Sequence, residues 1–363
     1  MTMKKIIKLF NPVTDQSERT ALLKTLDSKF WASGSGSGNV QKFENKFKKY
    51  VSADSCIAVN SGTAALNLAL SLFNIKNKEV ILPSMSFVST AHAIVENGGK
   101  PVFTDIDPNT LCIDPNKIKT KISKNTVAIM PVHFGGMPCN LDQILKIAKQ
   151  YNLQIVEDAA HAVGTKFNKK RIGSHGTAVC FSFHPVKNLA MPTGGLIAIN
   201  HKNNTKFQKL LFSRRWCGIT DRNDTNYDVK ELGWNYYMNE FSAVIGLEQL
   251  KKLDKFNKIR KNIAKQYFNK INIESKMPFD ENCSYHLYWI LVKNRQRFRE
   301  KLYKNGIETG THYKPIHLMS MYKKNTSLPI TESVGKQIVT IPIHPNLKDF
   351  EIRKIIKCIN EFS

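Results

Sequence analysis

The sequence has no long apolar run and no closely paired cysteines. None of its stretches approaches the run of about 20 apolar residues that a transmembrane helix requires. Its seven cysteines are scattered singly, without a CxxC pair, which fits reduced thiols in a cytoplasm better than a disulfide framework or a zinc site. The opening segment 1–14 is basic but lacks a long apolar region and a small-residue cleavage site. We therefore expect a cytoplasmic protein with no signal peptide and no bound metal.

Acidic residues are also scarce. The chain has 29 Asp and Glu against 54 Lys and Arg, a formal net charge of +25. Three interpretations stay open: a general abundance of lysine on solvated faces, attraction of a polyanionic substrate, and binding of nucleic acid. The densest basic run, residues 251–270, favours the first, because its apolar residues recur at helical spacing and leave the charges on an outer face. We expect neither nucleic acid nor a membrane as a partner.

Short apolar runs alternate with helical patterns between about residues 55 and 200. Strands are predicted at 56–60, 79–84, 101–106, 127–134, 154–159, 178–183 and 195–199. Several of these runs are apolar at consecutive positions, as in strands that are covered on both faces. Helical patterns such as 62–73 and 140–151 lie between them. The alternation predicts an α/β fold with a mainly parallel central sheet and helices on both faces.

The pattern changes in the last third of the chain, where a strand at 286–292 and a helix at 297–306 are predicted. We predict a large domain at 1–255 and a smaller C-terminal α+β domain at 256–363. The segment 31–44, rich in Gly and Ser, does not have the strand–loop–helix order that a phosphate loop requires. We expect it to be a surface loop that leads into a helix.

Polar side chains follow several of the predicted strands, at the sheet edge where open α/β folds bind ligands. The segment NSGTAAL (60–66) opens a helix, and the backbone N–H groups of Gly62 and Thr63 would form an anion site with the hydroxyls of Ser61 and Thr63. A plain helix cap is the alternative, because Ser and Thr are favoured there for local reasons. Phe87, in PSMSFVSTAHA (83–93), offers a flat apolar face on which a pyridine ring could stack, or a core side chain.

Two further segments carry a carboxylate and a lysine. Asp158, in VEDAAHAVG (156–164), could hold the protonated ring nitrogen of a pyridoxal cofactor or cap the following turn. His161 could face a substrate or pack. Lys187, in CFSFHPVKN (180–188), follows a buried strand, where removal from water would lower its pKa and allow it to form a Schiff base. Ser182 is placed to reach a phosphate.

Together these segments resemble the DegT/DnrJ/StrS family of sugar aminotransferases, which have the aspartate-aminotransferase fold, fold type I of the enzymes that use pyridoxal 5'-phosphate. The resemblance covers almost the whole chain. It includes 61–66, 83–107, 157–165, 181–188, 232–250, 306–318 and 341–345. The pair EDAAHA and FSFHPVKN is specific.

The resemblance implies a homodimer with shared active sites and a role for each of the singled-out residues. Gly62, Thr63 and Ser182 are similar to the family's phosphate contacts, and Asn235 would reach in from the neighbouring subunit. Phe87 resembles the stacking aromatic residue, Asp158 the partner of the ring nitrogen and Lys187 the Schiff-base lysine. His161 lies where relatives have Gln or His beside the ring, and His312 and Tyr313 match the substrate-side HYKP motif.

The implied reaction is a ping-pong transamination, with pyridoxamine 5'-phosphate as the intermediate form of the cofactor. It would pass an amino group from L-glutamate to a keto sugar for cell-surface polysaccharide. Tyr237 stands where relatives often have Arg, and MPTGG (191–195) replaces their Gly-Glu-Gly-Gly run. A free keto sugar acid therefore stays an alternative to a nucleotide-linked sugar. The related dehydratases carry His at the lysine position, and Lys187 argues against that activity. A basic regulatory protein on the same scaffold would need a nucleic-acid-binding module, which the sequence does not contain.

Overall fold

A computed structural model describes residues 6–323 and 326–363, so the first five residues of the basic opening segment lie outside the described residues. The helices are α1 (Gln16–Asp27), α2 (Asn39–Val51), α3 (Gly62–Ser71), α4 (Ser89–Glu96), α5 (Pro115–Lys119), α6 (Leu141–Tyr151), α7 (Asn204–Arg214), α8 (Glu240–Lys270), α9 (Arg295–Lys304), α10 (Pro329–Gln337) and α11 (Asp349–Phe362). The strands are β1 (Ser55–Val59), β2 (Glu79–Pro83), β3 (Lys100–Thr104), β4 (Thr126–Ile129), β5 (Gln154–Asp158), β6 (Lys166–Phe167), β7 (Lys170–Arg171), β8 (Ala178–Ser182), β9 (Gly195–Ile199), β10 (Ile219–Asn223), β11 (Asn226–Val229), β12 (Tyr288–Leu291) and β13 (Ile338–Ile341). In the described ranges no helix combines the length and apolarity that crossing a membrane would need.

Seven strands form the central sheet, in the order β1-β9-β8-β5-β4-β2-β3. All neighbouring pairs are parallel except those of β9, which runs antiparallel to both β1 and β8. The seven predicted strands and the predicted α/β class are confirmed. The strand predicted at 127–134 ends at Ile129, because Pro131 has no N–H for the ladder; Val132 then meets Asp158 only as an isolated bridge.

Both faces of the sheet are covered, as the consecutive apolar residues of its strands predict. Along β2, Ile81 packs into one hydrophobic core, while Val80 and Leu82 pack into a second core on the opposite face. Helices α2, α6 and α8 contribute to the first core, and α3, α4 and α7 to the second. Because every parallel strand ends at the same edge, the segments that follow β1, β2, β5 and β8 meet there.

The C-terminal part has its own two-stranded antiparallel sheet, β12-β13, together with helices α9, α10 and α11. The basic run 251–270 forms the last two thirds of α8, and its residues Leu253, Phe256, Ile263 and Tyr267 are buried. Helix α8 therefore crosses the predicted domain boundary at 255. The division into domains at 1–255 and 256–363 stays a prediction.

A buried ion pair fixes the Gly/Ser-rich loop that precedes α2. Arg215 is fully buried and donates to Glu44 Oε1 at 2.6 Å, to the carbonyl of Ala58 in β1 at 3.0 Å and to that of Ser35 at 3.0 Å. Gly36 has φ +71°, and a Cβ there would lie 1.9 Å from Nη2 of Arg215, so only glycine fits. The segment is thus a surface loop, as predicted, and the guanidinium holds it against the sheet.

We predict that Arg215→Met lowers the free energy of unfolding by about 3–5 kcal/mol, because it leaves the carboxylate of Glu44 buried without its cation. The double variant Arg215→Met/Glu44→Met should recover a large part of that loss. Urea denaturation followed by circular dichroism measures both. Lys230→Met, which removes an ion pair between the exposed Lys230 and Asp221, is the control and should leave the midpoint unchanged. A single variant as stable as the control would contradict the role of the pair.

Candidate active site

A cavity of about 330 Å³ opens at the carboxyl edge of the central sheet. Segments that follow β1, β2, β4, β5 and β8 line it, together with a segment of the C-terminal part of the chain. Of the ten residues that the sequence singled out, nine line this cavity: Gly62, Thr63, Phe87, Asp158, His161, Ser182, Lys187, His312 and Tyr313. Chain segments far apart in the sequence therefore meet in one site.

The N-terminus of α3 forms one end of the cavity. Ser61 is the N-cap residue, and its Oγ accepts from the N–H of Ala64 at 3.1 Å. The N–H groups of Gly62 and Thr63 precede the first intrahelical donor, the N–H of Ala65, which bonds to the carbonyl of Ser61. They are therefore free to bind an anion. A Cβ on Gly62 would lie 2.6 Å from Cβ of Ser182, so glycine is needed for that hydroxyl to sit beside the helix end. The helix cap is confirmed, and it leaves free the N–H groups that an anion site would use.

Asp158 ends β5 and is buried. Its Oδ2 accepts from Oγ1 of Thr90 at 2.8 Å, and its Oδ1 accepts from the N–H of Ala160 at 3.1 Å. Ser86 Oγ lies 2.7 Å from Thr90 Oγ1, so Ser86 can donate to Thr90 while Thr90 donates to the carboxylate. Removal from water raises the pKa of Asp158, and the donors Thr90 and Ala160 and the charge of Lys187 oppose that rise.

Lys187 lies in the turn after β8, where its N–H donates to the carbonyl of His184 at 2.8 Å. Its Nζ lies 3.4 Å from Nε2 of His286. Removal from water lowers the pKa of Lys187 to about 8, against the opposing charge of Asp158. A substantial fraction of this amine is uncharged near neutral pH, which makes it a nucleophile, unlike a surface lysine.

His161 and Tyr313 form a hydrogen-bonded, stacked pair in the cavity. The ring planes are 20° apart with centroids at 6.0 Å, and Nε2 of His161 is 3.1 Å from the hydroxyl of Tyr313. Nδ1 of His161 accepts from the N–H of Gly135 at 3.2 Å. Burial and the charge of Lys187 push the pKa of His161 well below its usual range. The neutral ring therefore carries its proton on Nε2 and donates it to Tyr313.

Phe87 is not a core residue, since 56% of it is exposed. Its ring centroid is 5.9 Å from that of Tyr313 and leaves a flat face on the cavity. His312 is held by Thr340, whose Oγ1 is 2.7 Å from Nδ1 of His312, and burial together with the charge of Lys187 lowers the pKa of His312 to about 4.

The segment that carries His312 and Tyr313 is fastened to the end of β2. Oγ of Ser84 lies 2.6 Å from Nδ1 of His317, and Nε2 of His317 is 3.2 Å from Glu332. These three residues resemble a nucleophilic triad, but Ser84 and His317 are buried. The network therefore holds the segment that follows Tyr313 against the end of β2.

Two site residues were missed from the sequence. Thr90 lies within the motif 83–93 but carried no signal of its own, because a threonine in the first turn of a helix is ordinary. His286 precedes β12 and has no motif around it; only the packing of the C-terminal part against the sheet brings it to Lys187.

Asn235 does not line the cavity of its own chain. Its carbonyl accepts from Nδ2 of Asn60 at 3.3 Å, and the residue is exposed. Within one chain the structure thus separates Asn235 from the other nine residues.

Comparisons with known proteins agree with this geometry. Residues 12–360 match the DegT/DnrJ/EryC1/StrS aminotransferase family. The chain is 33% identical over 366 residues to GDP-perosamine synthase of Escherichia coli O157:H7, with 99% of each chain covered. It is similar to Helicobacter pylori PseC, an aminotransferase involved in the biosynthesis of pseudoaminic acid (TM-score 0.93, 26% identity, 99% of each chain). It is also similar to the PLP-form of Spr1654 from Streptococcus pneumoniae (TM-score 0.92, 26% identity, 98% of each chain).

These matches confirm the fold type, the aminotransferase activity and the pyridoxal-phosphate cofactor predicted from the sequence. The chain belongs to the DegT/DnrJ/EryC1/StrS aminotransferase family.

Proposed function

We propose that this protein transfers an amino group from L-glutamate to a keto sugar, nucleotide-linked or a free keto sugar acid, for cell-surface polysaccharide. The observation that carries the proposal is the composition of one cavity. It combines a lysine whose pKa is lowered to about 8, a buried carboxylate and the N-terminus of a helix.

The residues of the cavity fit pyridoxal 5'-phosphate. The N–H groups of Gly62 and Thr63 and the hydroxyl of Ser182 would hold the phosphate, and Phe87 would stack on the ring. Asp158 would bind the ring nitrogen, for which its two donors, Thr90 and Ala160, leave lone pairs free. When bound, the cofactor supplies an aldehyde that condenses with amines and a ring that accepts electrons.

Lys187 would carry the cofactor and also move the proton. Because its pKa is lowered to about 8, Nζ can be neutral when it takes a proton from the α-carbon of the amino donor. It can be charged when it delivers that proton to the second reacting carbon of the same half-reaction, and the sugar half-reaction would need the same two roles again. The same atom then acts as base and acid, which requires a pKa near the working pH. Asp158 counters the positive charge whenever Nζ is protonated.

The pair His161 and Tyr313, together with His312, would orient the sugar. Both ring nitrogens of His161 are engaged, so it would hold the hydroxyl of Tyr313 in place. That hydroxyl and Nε2 of the neutral His312 would offer hydrogen bonds rather than charge, which suits the hydroxyl groups of a sugar. A nucleotide-linked sugar would add two phosphates, and the formal charge of +25 would attract them from solution.

A homodimer would explain the position of Asn235. An apolar patch of Leu26, Phe30 and Trp31, each between 44% and 49% exposed, lies next to the start of α8, where Trp31 and Phe241 are 5.9 Å apart. Burial of such a patch against a second copy would be favourable. The neighbouring subunit's Asn235 would then complete the phosphate site.

Lys187→Ala should lower turnover by at least about 10³, because general acid–base steps alone contribute roughly 10² to 10⁴. The wild-type protein with pyridoxal phosphate should be yellow, and L-glutamate should bleach its visible band. The variant should keep its fold and most of its cofactor binding, but L-glutamate should not bleach its band. Lys251→Ala on the outer face of α8 is the control. A variant that keeps more than a tenth of the wild-type rate would rule out Lys187 as the catalytic lysine.

Asp158→Asn should impair catalysis more than folding. An ionised carboxylate favours the protonated ring nitrogen, and each pKa unit of that preference corresponds to about 1.4 kcal/mol. The amide oxygen can still accept from Thr90, whereas the bond from the N–H of Ala160 is lost. The free energy of unfolding should therefore fall by about 1 kcal/mol, while the turnover number falls much more. An unchanged turnover number would leave Asp158 with the turn-capping role alone.

Mixing Lys187→Ala with Asn235→Asp should restore activity if the site is shared. In a mixed dimer one site has both lesions and the other has none, so random exchange should give about a quarter of the wild-type rate. Aspartate is chosen at position 235 because its negative charge would repel the phosphate of the cofactor and so weaken cofactor binding.

Subunit exchange is verified with differently tagged chains. If exchange occurs and the activity stays at the level of the separate variants, Asn235 does not act across the interface and the shared site is wrong.

A further inference from the structure

His286 is a buried titratable residue that the proposed reaction does not use. It is 1% exposed and does not belong to the cavity lining. Its ring lies 4.5 Å from that of His161, and Phe10 stacks on it at 5.7 Å with an angle of 17° between the planes. Its Nε2 is 3.4 Å from Nζ of Lys187. The imidazole therefore sits behind the lysine, between it and the N-terminal segment.

We propose that His286 is a positioning residue for Lys187, whose Nζ donates a hydrogen bond to Nε2 of His286 whenever the lysine is not bonded to the cofactor. The proposal rests on the proposed function, in which Lys187 alternates between a bonded and a free amine. A long, flexible lysine would otherwise lose its place each time it is released, and the proton transfer requires Nζ at a fixed distance from the reacting carbon.

The state of the imidazole suits an acceptor. Burial and the charge of Lys187 push the pKa of His286 well below its usual range, so the ring is neutral. Acceptance at Nε2 puts the proton on Nδ1, and Nδ1 has no hydrogen-bond partner among the described residues. A buried donor without a partner costs free energy, and an apolar side chain would avoid that cost. The contact at Nε2 gives a physical reason for an imidazole here.

The other groups around Lys187 do not replace this acceptor. Asp158 on β5 acts on Lys187 through its charge, and His161, His184 and His312 are charged neighbours only if protonated. Among the described residues, the ring of His286 is the side-chain hydrogen-bond partner of Nζ. A neutral acceptor stabilises the ammonium more than the amine, because a charged donor makes the stronger hydrogen bond. Its removal in a dry site therefore lowers the pKa of Lys187.

The test measures the pKa of Lys187 in the full-length protein without cofactor. Acetic anhydride acetylates neutral amines, and the rate at Lys187, followed by peptide mass spectrometry from pH 6 to 10, gives that pKa. His286→Leu keeps the site apolar and removes the acceptor; we expect the pKa to fall by about one unit, and the rate at pH 7 to rise about fivefold. His286→Gln carries an amide at about the position of Nε2 and should stay close to wild type.

Two further variants complete the set. His286→Asn carries an amide too short to reach Nζ, so it should behave like His286→Leu; it substitutes for that variant if the apolar one does not fold. His175→Gln is the matched control: both ring nitrogens of this half-buried histidine lack partners among the described residues, and it precedes β8, whereas Lys187 follows that strand. It should leave the pKa of Lys187 unchanged.

A pKa in His286→Leu equal to or above the wild-type value would overturn the proposal, and so would a Gln variant that behaves like the Leu variant. The proposed function is judged separately, from the yellow colour of the wild-type protein with pyridoxal phosphate. A colourless protein would refute the function, whereas the lysine titration would still decide whether His286 holds Nζ.

Discussion

The attraction between Lys187 and Asp158, two groups that are both withdrawn from water, is the constraint around which this site is built. Burial alone works against both charges: it lowers the pKa of the lysine and raises that of the aspartate. Each charge opposes the shift of the other. The sheet order sets this pairing, because β5 and β8 are neighbours in parallel register, with Asp158 opposite Cys180. Ser182 then ends β8, and the turn after it delivers Lys187.

The two adjacent carboxylates at the end of β5 have different surroundings, one in the interior of the fold and one at the cavity. Successive side chains of a strand point to opposite faces, so Glu157 and Asp158 meet different surroundings. Glu157 is fully buried, 2.7 Å from Nε2 of the equally buried His133, and it also accepts from the N–H of Gly176. Glu157 does not line the cavity, so both of these bonds serve the fold. Asp158 accepts from Thr90 and Ala160 and keeps capacity toward the cavity.

Much of the fold and most of the site could be predicted from the sequence, because the signals are local. The strands are apolar at consecutive positions, and the motif residues follow strand ends, which a parallel sheet brings to one edge. The remaining features depend on packing between distant segments. His286 reaches Lys187 across 99 positions of chain, and Phe10 reaches His286 from the N-terminal segment. The break after Ile129 is local, but a proline in an apolar run is easily included in the strand. Asn235 differs from these residues. Its sequence motif suggests that it belongs to the site, but in a single chain it does not line the cavity.

The distribution of charge indicates how such a site would handle an anionic substrate. Inside the cavity Lys187 and Asp158 offset each other, and the lowered pKa values of His161 and His312 keep both rings neutral. Contacts to bound molecules would therefore come from dipoles: the N–H groups at α3 and the hydroxyl of Ser182 for the cofactor phosphate, and the hydroxyl of Tyr313 for the sugar. Many lysines lie elsewhere, for example Lys251, Lys255 and Lys258 on the exposed face of α8. Salt screens the field of such exposed charges over about a Debye length, 8–10 Å at physiological salt. Their main effect on an anionic substrate is therefore to raise its rate of association.

An excess positive charge inside the cavity would instead lower the pKa of Lys187 further. It would also disfavour a proton on the ring nitrogen of a bound cofactor, which Asp158 would stabilise. With a neutral cavity in a positively charged protein, the outer charges can attract an anionic substrate without changing the protonation of the groups inside the cavity.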